Sequence, residues 1–347
     1  MAMAEVTVRG AGIFGLSVAY ECARRGARVR LVDTVAVGAG SSGGVVGALA
    51  PHVPENWNTK KAFQLESLLK AGNFWAEVAQ AGGVDPGYAR LGRLQPLADV
   101  QAVGTAQARA EGAAALWQGQ AVWEVVPASR FGDWILPSAT GLVIHDTLSA
   151  RIHPRQACAA LAAAVTALGG EVILGEAPDQ GAVVWATGVV GLVDLSRQFG
   201  RAAGAGVKGQ AAVLAHDARH LPQLFVDGLH IVPHADGTVA IGSTSERDYE
   251  APDTTDAQLD ALIERARAAS PVLEGAPVVT RWAGVRPRSR SRAPMLGPWP
   301  GRQGHFIANG GFKIGFGMAP GVAAVMADLI LEGRDAIPDG FRVEDSL

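Results

Sequence analysis

Val6-Thr7-Val8-Arg9-Gly10-Ala11-Gly12-Ile13-Phe14-Gly15 stands near the start of the chain, and around it the sequence reads β-α-β. Val6 to Arg9 is a short β-rich run, and Ile13 to Arg25 has helical periodicity through Leu16, Ala19, Tyr20 and Ala23. Gly26 ends that helix, and Val29 to Val32 reads as a second, buried strand. The glycines spell G-x-G-x-x-G between a strand and a helix, the context a dinucleotide-binding turn requires. Gly10 allows the tight turn, Gly12 lets a pyrophosphate approach the backbone, and Gly15 lets the helix pack close to the sheet. With Ala11, Ile13 and Phe14 they form the helix start, whose unpaired N–H groups and positive dipole end favour phosphate. Eighteen residues after Gly15, Asp33 ends the second strand, followed by Thr34, where a carboxylate can accept from ribose hydroxyls. Arg9 holds a position that is usually aliphatic in such turns, and the sequence offers no account of it.

The composition fits that reading. Of 347 residues 48% are apolar and 18% charged, the balance of a folded chain with large cores rather than a disordered one. The length favours two domains. Glycine, at 44 residues, falls in short clusters without a collagen period, which implies tight turns and close backbone approaches. A net charge of -3 argues against nucleic acid or an anionic membrane as a partner. Cys22 and Cys158 lie in apolar helical stretches and read as buried free thiols. No basic n-region or apolar h-region is visible, and the longest uncharged helical candidate, 156–170, is too short to span a bilayer, so a cytoplasmic protein is expected.

Further along, His153-Pro154 starts a helix that stops at Gly169-Gly170, and a strand follows at 172–174. Val183 to Ala186 reads as another buried strand. Helices are expected at 58–81, 99–117 and 255–269, with a final one from Val322 to Glu332. Strands are expected over 206–245, including a hairpin about Asp236-Gly237, and over 277–285. This interleaving predicts an α/β chain: a Rossmann-type, GR2-like nucleotide domain from residues 1–50, 142–205 and 280–347. A mixed-sheet α+β substrate domain from 51–141 and 206–279 is inserted between those segments.

Five segments carry a family likeness. They are the N-terminal glycine turn, Ala39-Gly40-Ser41-Ser42-Gly43 through Gly47-Ala48-Leu49-Ala50-Pro51, and Val184-Trp185-Ala186-Thr187-Gly188. The others are Val232-Pro233 to Glu246, and Trp282-Ala283-Gly284-Val285-Arg286-Pro287 running to Pro320. In this order they resemble the FAD-dependent amino-acid and amine oxidoreductases, the family of D-amino-acid oxidase, glycine oxidase and sarcosine oxidase. The resemblance implies FAD, held without a covalent link because no cysteine lies near Arg292 or Lys313. It implies that Gly40, Ser41 and Ser42, with Gly47, Ala48 and Leu49, wrap the pyrophosphate and ribityl chain. Ala186, Thr187 and Gly188 turn beside the cofactor, and Val172 joins the cofactor-binding set. Gly310, Gly311, Phe312, Lys313 and Ile314 lie along the isoalloxazine ring, ahead of a helix whose dipole stabilises negative charge on reduction.

The same resemblance makes Arg286 the carboxylate anchor, and an arginine fork suits that task through two parallel charge-assisted bonds. Lys313, one of five lysines, matches a lysine with which sarcosine oxidases hold the substrate carboxylate. His52 and His234 are further pocket candidates. Arg286, Arg288, Arg290 and Arg292 alternate; if extended they share one face, either a solvated edge or an electropositive mouth for an additional acidic group. No His/Cys/Asp cluster has metal-ligand spacing, so no metal is expected.

The implied reaction is oxidation of the C–N bond of a small amine or amino acid carrying a carboxylate, with hydride passing to flavin N5 and the imine then hydrolysed. Oxygen or another electron acceptor takes the electrons, and a homo-oligomeric state is left open. Two alternatives stand beside it: an oxidase of modified wobble uridines in tRNA, and an NAD-dependent dehydrogenase using the same glycine turn.

Overall fold

In the computed structural model, residues 4–347 are described; the first three residues of the segment expected to open the nucleotide domain lie outside them. The β-α-β unit is present as strand Glu5–Arg9, helix α1 (Ile13–Arg24) and strand Arg28–Asp33. The strands pair in parallel, Val6 opposite Val29 and Val8 opposite Leu31. All four of these side chains are buried, which is why both runs are apolar. The sheet grows to six strands in the order Met295–Pro298, His305–Asn309, Ala182–Trp185, Glu5–Arg9, Arg28–Asp33, Glu171–Leu174. Only the first pair is antiparallel.

Next in chain order come the helices α2 (Thr59–Gly82), α3 (Val100–Trp117) and α4 (Pro154–Ala167), then α5 (Gly188–Phe199), α6 (Ala257–Ala269) and α7 (Gly315–Glu332). Their starts follow local chemistry. Asn58, Asp99 and Asp256 cap α2, α3 and α6 by accepting from the amides of Lys61, Ala102 and Gln258. Pro154 sits in the first turn of α4. The buried faces of α1, α2, α4 and α7 share one core against the parallel sheet. Leu192 and Leu195 of α5 pack with Met295 and Ile307 in a separate cluster.

A second sheet of eight strands runs in the order Val278–Ser289, Gly204–Ala215, Thr238–Gly242, Leu229–Pro233, Gln223–Val226, Arg93–Pro96, Leu142–Asp146, Trp123–Pro127. It is antiparallel except where Gln223–Val226 meets Arg93–Pro96. α6 covers it through Leu259, Leu262, Ile263 and Ala266. The Asp236-Gly237 hairpin closes with Thr238 donating to Asp236 Oδ1 from both its amide (3.0 Å) and its hydroxyl (2.7 Å). The twelve-residue strands Gly204–Ala215 and Val278–Ser289 are long enough to reach the six-stranded unit, where Arg290 N donates to Ala203 O beside α5.

Several expectations need correction. Leu142–Asp146 and residues 280–289 of the strand Val278–Ser289, expected with the nucleotide segments, pair in the eight-stranded sheet. α2, expected with the substrate segments, packs in the core of α1, α4 and α7. α7 begins at Gly315, not Val322, because its buried glycines and Pro320 are tolerated where close packing compensates their poor helix propensity. α5 was not anticipated. The four alternating arginines do not share a face: the strand ends at Ser289 and Arg292 takes a left-handed φ of 62° in the turn beyond. Among the described residues α7 alone is long and apolar enough by length and composition to cross a membrane, yet 61% of it is buried inside the fold.

Candidate active site

A cavity of about 1470 Å³ lies between the carboxyl ends of the parallel strands and the long pair of the second sheet. Small-ligand pockets span roughly 300–1,000 Å³, so this one has room for a dinucleotide and a small substrate together.

Its outer end is built by backbone. Gly10 has φ 103°, and a Cβ there would lie 2.4 Å from Ala186 O. A Cβ on Gly15 would lie 1.9 Å from Gly10 O, so the turn and the helix meet closer than any side chain allows. Gly12 at the N-cap has no side chain and the first turn of α1 holds no acid, so no negative charge opposes an anion at that end. Ser42 Oγ accepts from Ile13 N at 2.9 Å, which brings the serine loop over the helix start. Asp33 accepts from Ala11 N (2.8 Å) and Val35 N (2.9 Å), fixing its carboxylate at the strand end.

Gly10, Gly12, Ile13 and Phe14 line the cavity, as do Asp33, Thr34, Gly40, Ser41 and Ser42. So do Gly47 and Ala48, the corner Ala186-Thr187-Gly188, and Gly310, Gly311 and Phe312. Ala11, Gly15, Leu49 and Ile314 stand behind this lining rather than in it. Val172 is also outside it; it pairs with Leu31 and packs on the first core.

Arg9 now has an account. Its Nε donates to Asp179 Oδ1 (2.7 Å) and Nη2 to Ala177 O (2.9 Å), with the guanidinium 5.5 Å from the Trp185 ring centre. The charge ties the covering loop down instead of meeting an apolar layer.

At the inner end Arg286 is 8% exposed. Its Nη2 donates to the carbonyls of Lys208 (3.2 Å) and Thr244 (2.7 Å), and Nη1 to Ser243 Oγ (2.7 Å). A Cβ on Gly209 would overlap the guanidinium, so that glycine is the groove it lies in. The open fork expected from sequence is thus partly committed: a carboxylate meets Nη1 and the Ser243 hydroxyl. Burial lowers the Arg286 pKa to about 10, against the opposing pull of Glu246. Behind it Glu246 accepts from Gln210 Nε2 (3.1 Å) and from Thr244 Oγ1, with Lys208 Nζ at 3.7 Å.

Lys313 also lines the cavity. It is exposed, yet protein surrounds its ammonium closely enough that burial, then Arg286, lower its pKa. Phe312, with a left-handed φ of 44°, donates its amide to Pro287 O (3.0 Å) and so stands against the strand carrying Arg286. Sequence reasoning missed His230, Phe225, Ser243 and Trp282, which line the same space. For His230, Phe225 and Trp282 the signal is strand alternation toward the cavity face, visible only once the register is known; Ser243 follows the end of the strand Thr238–Gly242. His230 packs on Phe225 at 4.6 Å, and burial, with Arg93 and Lys313 nearby, pushes its pKa down to about 3.

His52 and His234 are not brought into the cavity. His52 N donates to Gln64 Oε1 at 2.8 Å and its ring Nδ1 contacts the same oxygen. His234, 1% exposed, donates Nε2–H to Val45 O at 2.8 Å and packs on His153, supporting the lining from behind. Burial brings its pKa to about 4. Among the described residues no group of three or more His, Cys, Asp or Glu side chains could hold a metal.

The residues fit FAD on their own terms. A glycine cradle and an acid-free helix start would face the phosphates. Val35 and Val190, 71% and 68% exposed, line the cavity as apolar surface ready to be covered. Backbone and cations surround the inner end.

Comparison with known proteins agrees. Glycine oxidase of Pseudomonas putida is 37% identical over 135 residues, covering 38% of this chain and 36% of that protein. The chain therefore aligns with only about a third of the length of that relative. Glycine oxidase of Geobacillus kaustophilus is 24% identical over 94% of this chain and 92% of its own length. The crystal structure of the G. kaustophilus enzyme superposes with a TM-score of 0.83 at 22% identity, covering 98% of this chain and 99% of that one. The family model described as FAD dependent oxidoreductase (DAO) matches residues 5–329, nearly the whole chain, and the chain belongs to that family.

Proposed function

We propose that the protein oxidises the C–N bond of a small amine or amino acid that carries a carboxylate. The observation that carries this is the pairing of two cations, Arg286 and Lys313, at the inner end of a dinucleotide-sized cavity. Bound FAD would supply the two-electron acceptor. Arg286 and Ser243 would hold the carboxylate and Lys313 would add a second positive charge, which fixes the orientation of the substrate in the cavity. The C–H bond next to nitrogen breaks with its electron pair leaving as hydride. The nitrogen lone pair forms the C=N bond, and water then releases a keto or aldehyde acid and ammonia or an amine. His230, held neutral by burial, leaves the amine free of a competing charge.

In this reading the six-stranded unit is the nucleotide domain and the eight-stranded sheet with α6 is the substrate domain. FAD is non-covalent: Cys22 and Cys158 are buried outside the cavity, and acid precipitation should release the yellow colour to the supernatant. The enzyme works in the cytoplasm without a metal. The test is anaerobic titration of the yellow protein with glycine, sarcosine, D-amino acids and acidic amines. Bleaching by one of them identifies the donor, and bleaching by none removes the reading. Rapid recolouring on admitting air would make oxygen the acceptor; slow recolouring would point to another carrier.

A further inference from the structure

We infer that the inner end of the cavity binds two carboxylates, one on Arg286 and Ser243 and one on Lys313, with Arg288 adding its charge from just behind the lining, so that the amine oxidised is a diacid. This rests on the proposed function and narrows its substrate.

Three cations converge on one aromatic ring. The guanidinium carbons of Arg286 and Arg288 each lie 5.8 Å from the centre of the Phe312 ring, and Lys313 Nζ lies 5.7 Å from it. Arg288 follows Arg286 by two residues on the same strand and shares its face. Arg286 is anchored by main-chain carbonyls and Ser243. Among the described residues the side chains of Arg288 and Lys313 have neither an ion-pair partner nor a hydrogen-bond partner. Two other half-buried arginines are paired: Arg9 with Asp179 at 2.7 Å and Arg25 with Asp328 at 2.7 Å.

The carboxylates nearby do not answer these charges. Glu246 is held by Gln210, Thr244 and Lys208 on the far side of Arg286. Asp33 is bound to two amides at the outer end. Asp194 sits 3.6 Å from Arg197, and Asp253, exposed at the lining, forms no ion pair. Cation–ring contacts of this kind are worth little when solvated and cannot offset the repulsion of three like charges. A monocarboxylate on Arg286 would leave Lys313 and Arg288 unmatched. A second carboxylate on Lys313, within the field of Arg288, lowers that repulsion and gains a charge-assisted bond.

The test uses the FAD-loaded protein and redox-inert acids, read by perturbation of the flavin spectrum. Acetate and propionate are compared with malonate and succinate at fixed ionic strength. The better diacid should bind about 30-fold more tightly than the better monoacid, the scale of one charge-assisted contact. R288Q and K313Q should each lower diacid affinity about tenfold more than monoacid affinity. A wild-type ratio below about threefold, or a ratio that neither variant changes, overturns the inference. Should the variants fold poorly, the wild-type ratio decides alone. Bleaching by glycine as readily as by amino diacids would sink the second subsite while leaving the amine-oxidising function intact. Bleaching by no amine would sink that function, and the acid-binding ratio would still decide this inference.

Discussion

The two ends of the cavity are made in different ways. The outer end is a local construction: ten consecutive residues bring a strand, a turn and a helix start together, with Asp33 and Ser42 adding side chains from the next segments. The inner end is assembled from distant ones. Arg286 comes from one strand, Ser243 from beyond another, His230 from a third, and Lys313 from the loop ahead of α7. A local site fails all at once when one backbone atom is crowded. An assembled site loses its ligands one contact at a time.

The largest expected effect tests the local end. In Gly15→Val the first side-chain carbon already overlaps Gly10 O, so strand and helix must part. We expect loss of bound flavin, read as the ratio of visible to protein absorbance, and a stability loss of about 3 kcal/mol or more. A yellow variant with unchanged melting would show that the two elements do not meet this closely.

Arg286→Ala tests the other end. Flavin should stay bound while KM for the amine substrate rises about 100-fold or more, because the charge-assisted contact is lost and the buried carbonyls of Lys208 and Thr244 lose their donor. Loss of flavin from this variant would mean that the two ends are one cooperative unit.

This contrast also explains what could be read from sequence. The glycine turn, Asp33, the serine loop and the Ala-Thr-Gly corner are contiguous signals, and they line the cavity. Arg286 and Lys313 were named through family likeness, not through spacing. Ser243 and His230 were not named, because whether a strand residue faces a cavity depends on register and on which sheet the strand joins. The arginine run failed for the same reason, since alternation implies a shared face only while the strand continues. α5 was hidden because it starts directly at the Ala-Thr-Gly corner, read as a turn beside the cofactor, and opens with apolar Val189 and Val190.

Two pH effects separate the ends further. Lys313 is cationic only below its pKa, and burial with Arg286 places that pKa below the ordinary lysine value. Binding of an inert carboxylate should therefore weaken as pH rises through a range lower than that of a free lysine. K313M should flatten the profile; an unchanged profile would remove Lys313 from the anion site. His234 behaves oppositely with respect to acid. Its folded pKa of about 4 lies below the unfolded value of 6.5, so between these the unfolded chain binds more protons. Stability is full above pH 6.5 and falls as pH drops toward 4, by about 3 kcal/mol at most for this residue. H234Q, melted at pH 7 and pH 4.5, should show a smaller acid loss than the wild type.

The smallest effect concerns Arg9, where the outer end departs from its own pattern. An aliphatic side chain at that strand position would normally be covered by apolar neighbours. Here Asp179, the Ala177 carbonyl and the Trp185 ring replace them, so the loop that covers the sheet is fastened by a half-exposed charge. Such partly exposed pairs contribute about 1 kcal/mol or less, and the ring contact a similar amount. Arg9→Leu loses both but regains apolar burial, so the expected change is a fall in melting temperature of about 2 °C with flavin retained. The loss should shrink in high salt in the wild type, since screening weakens the same pair there. A variant that loses its flavin instead would mean that Arg9 reaches the phosphates, and that the glycine turn alone does not hold them.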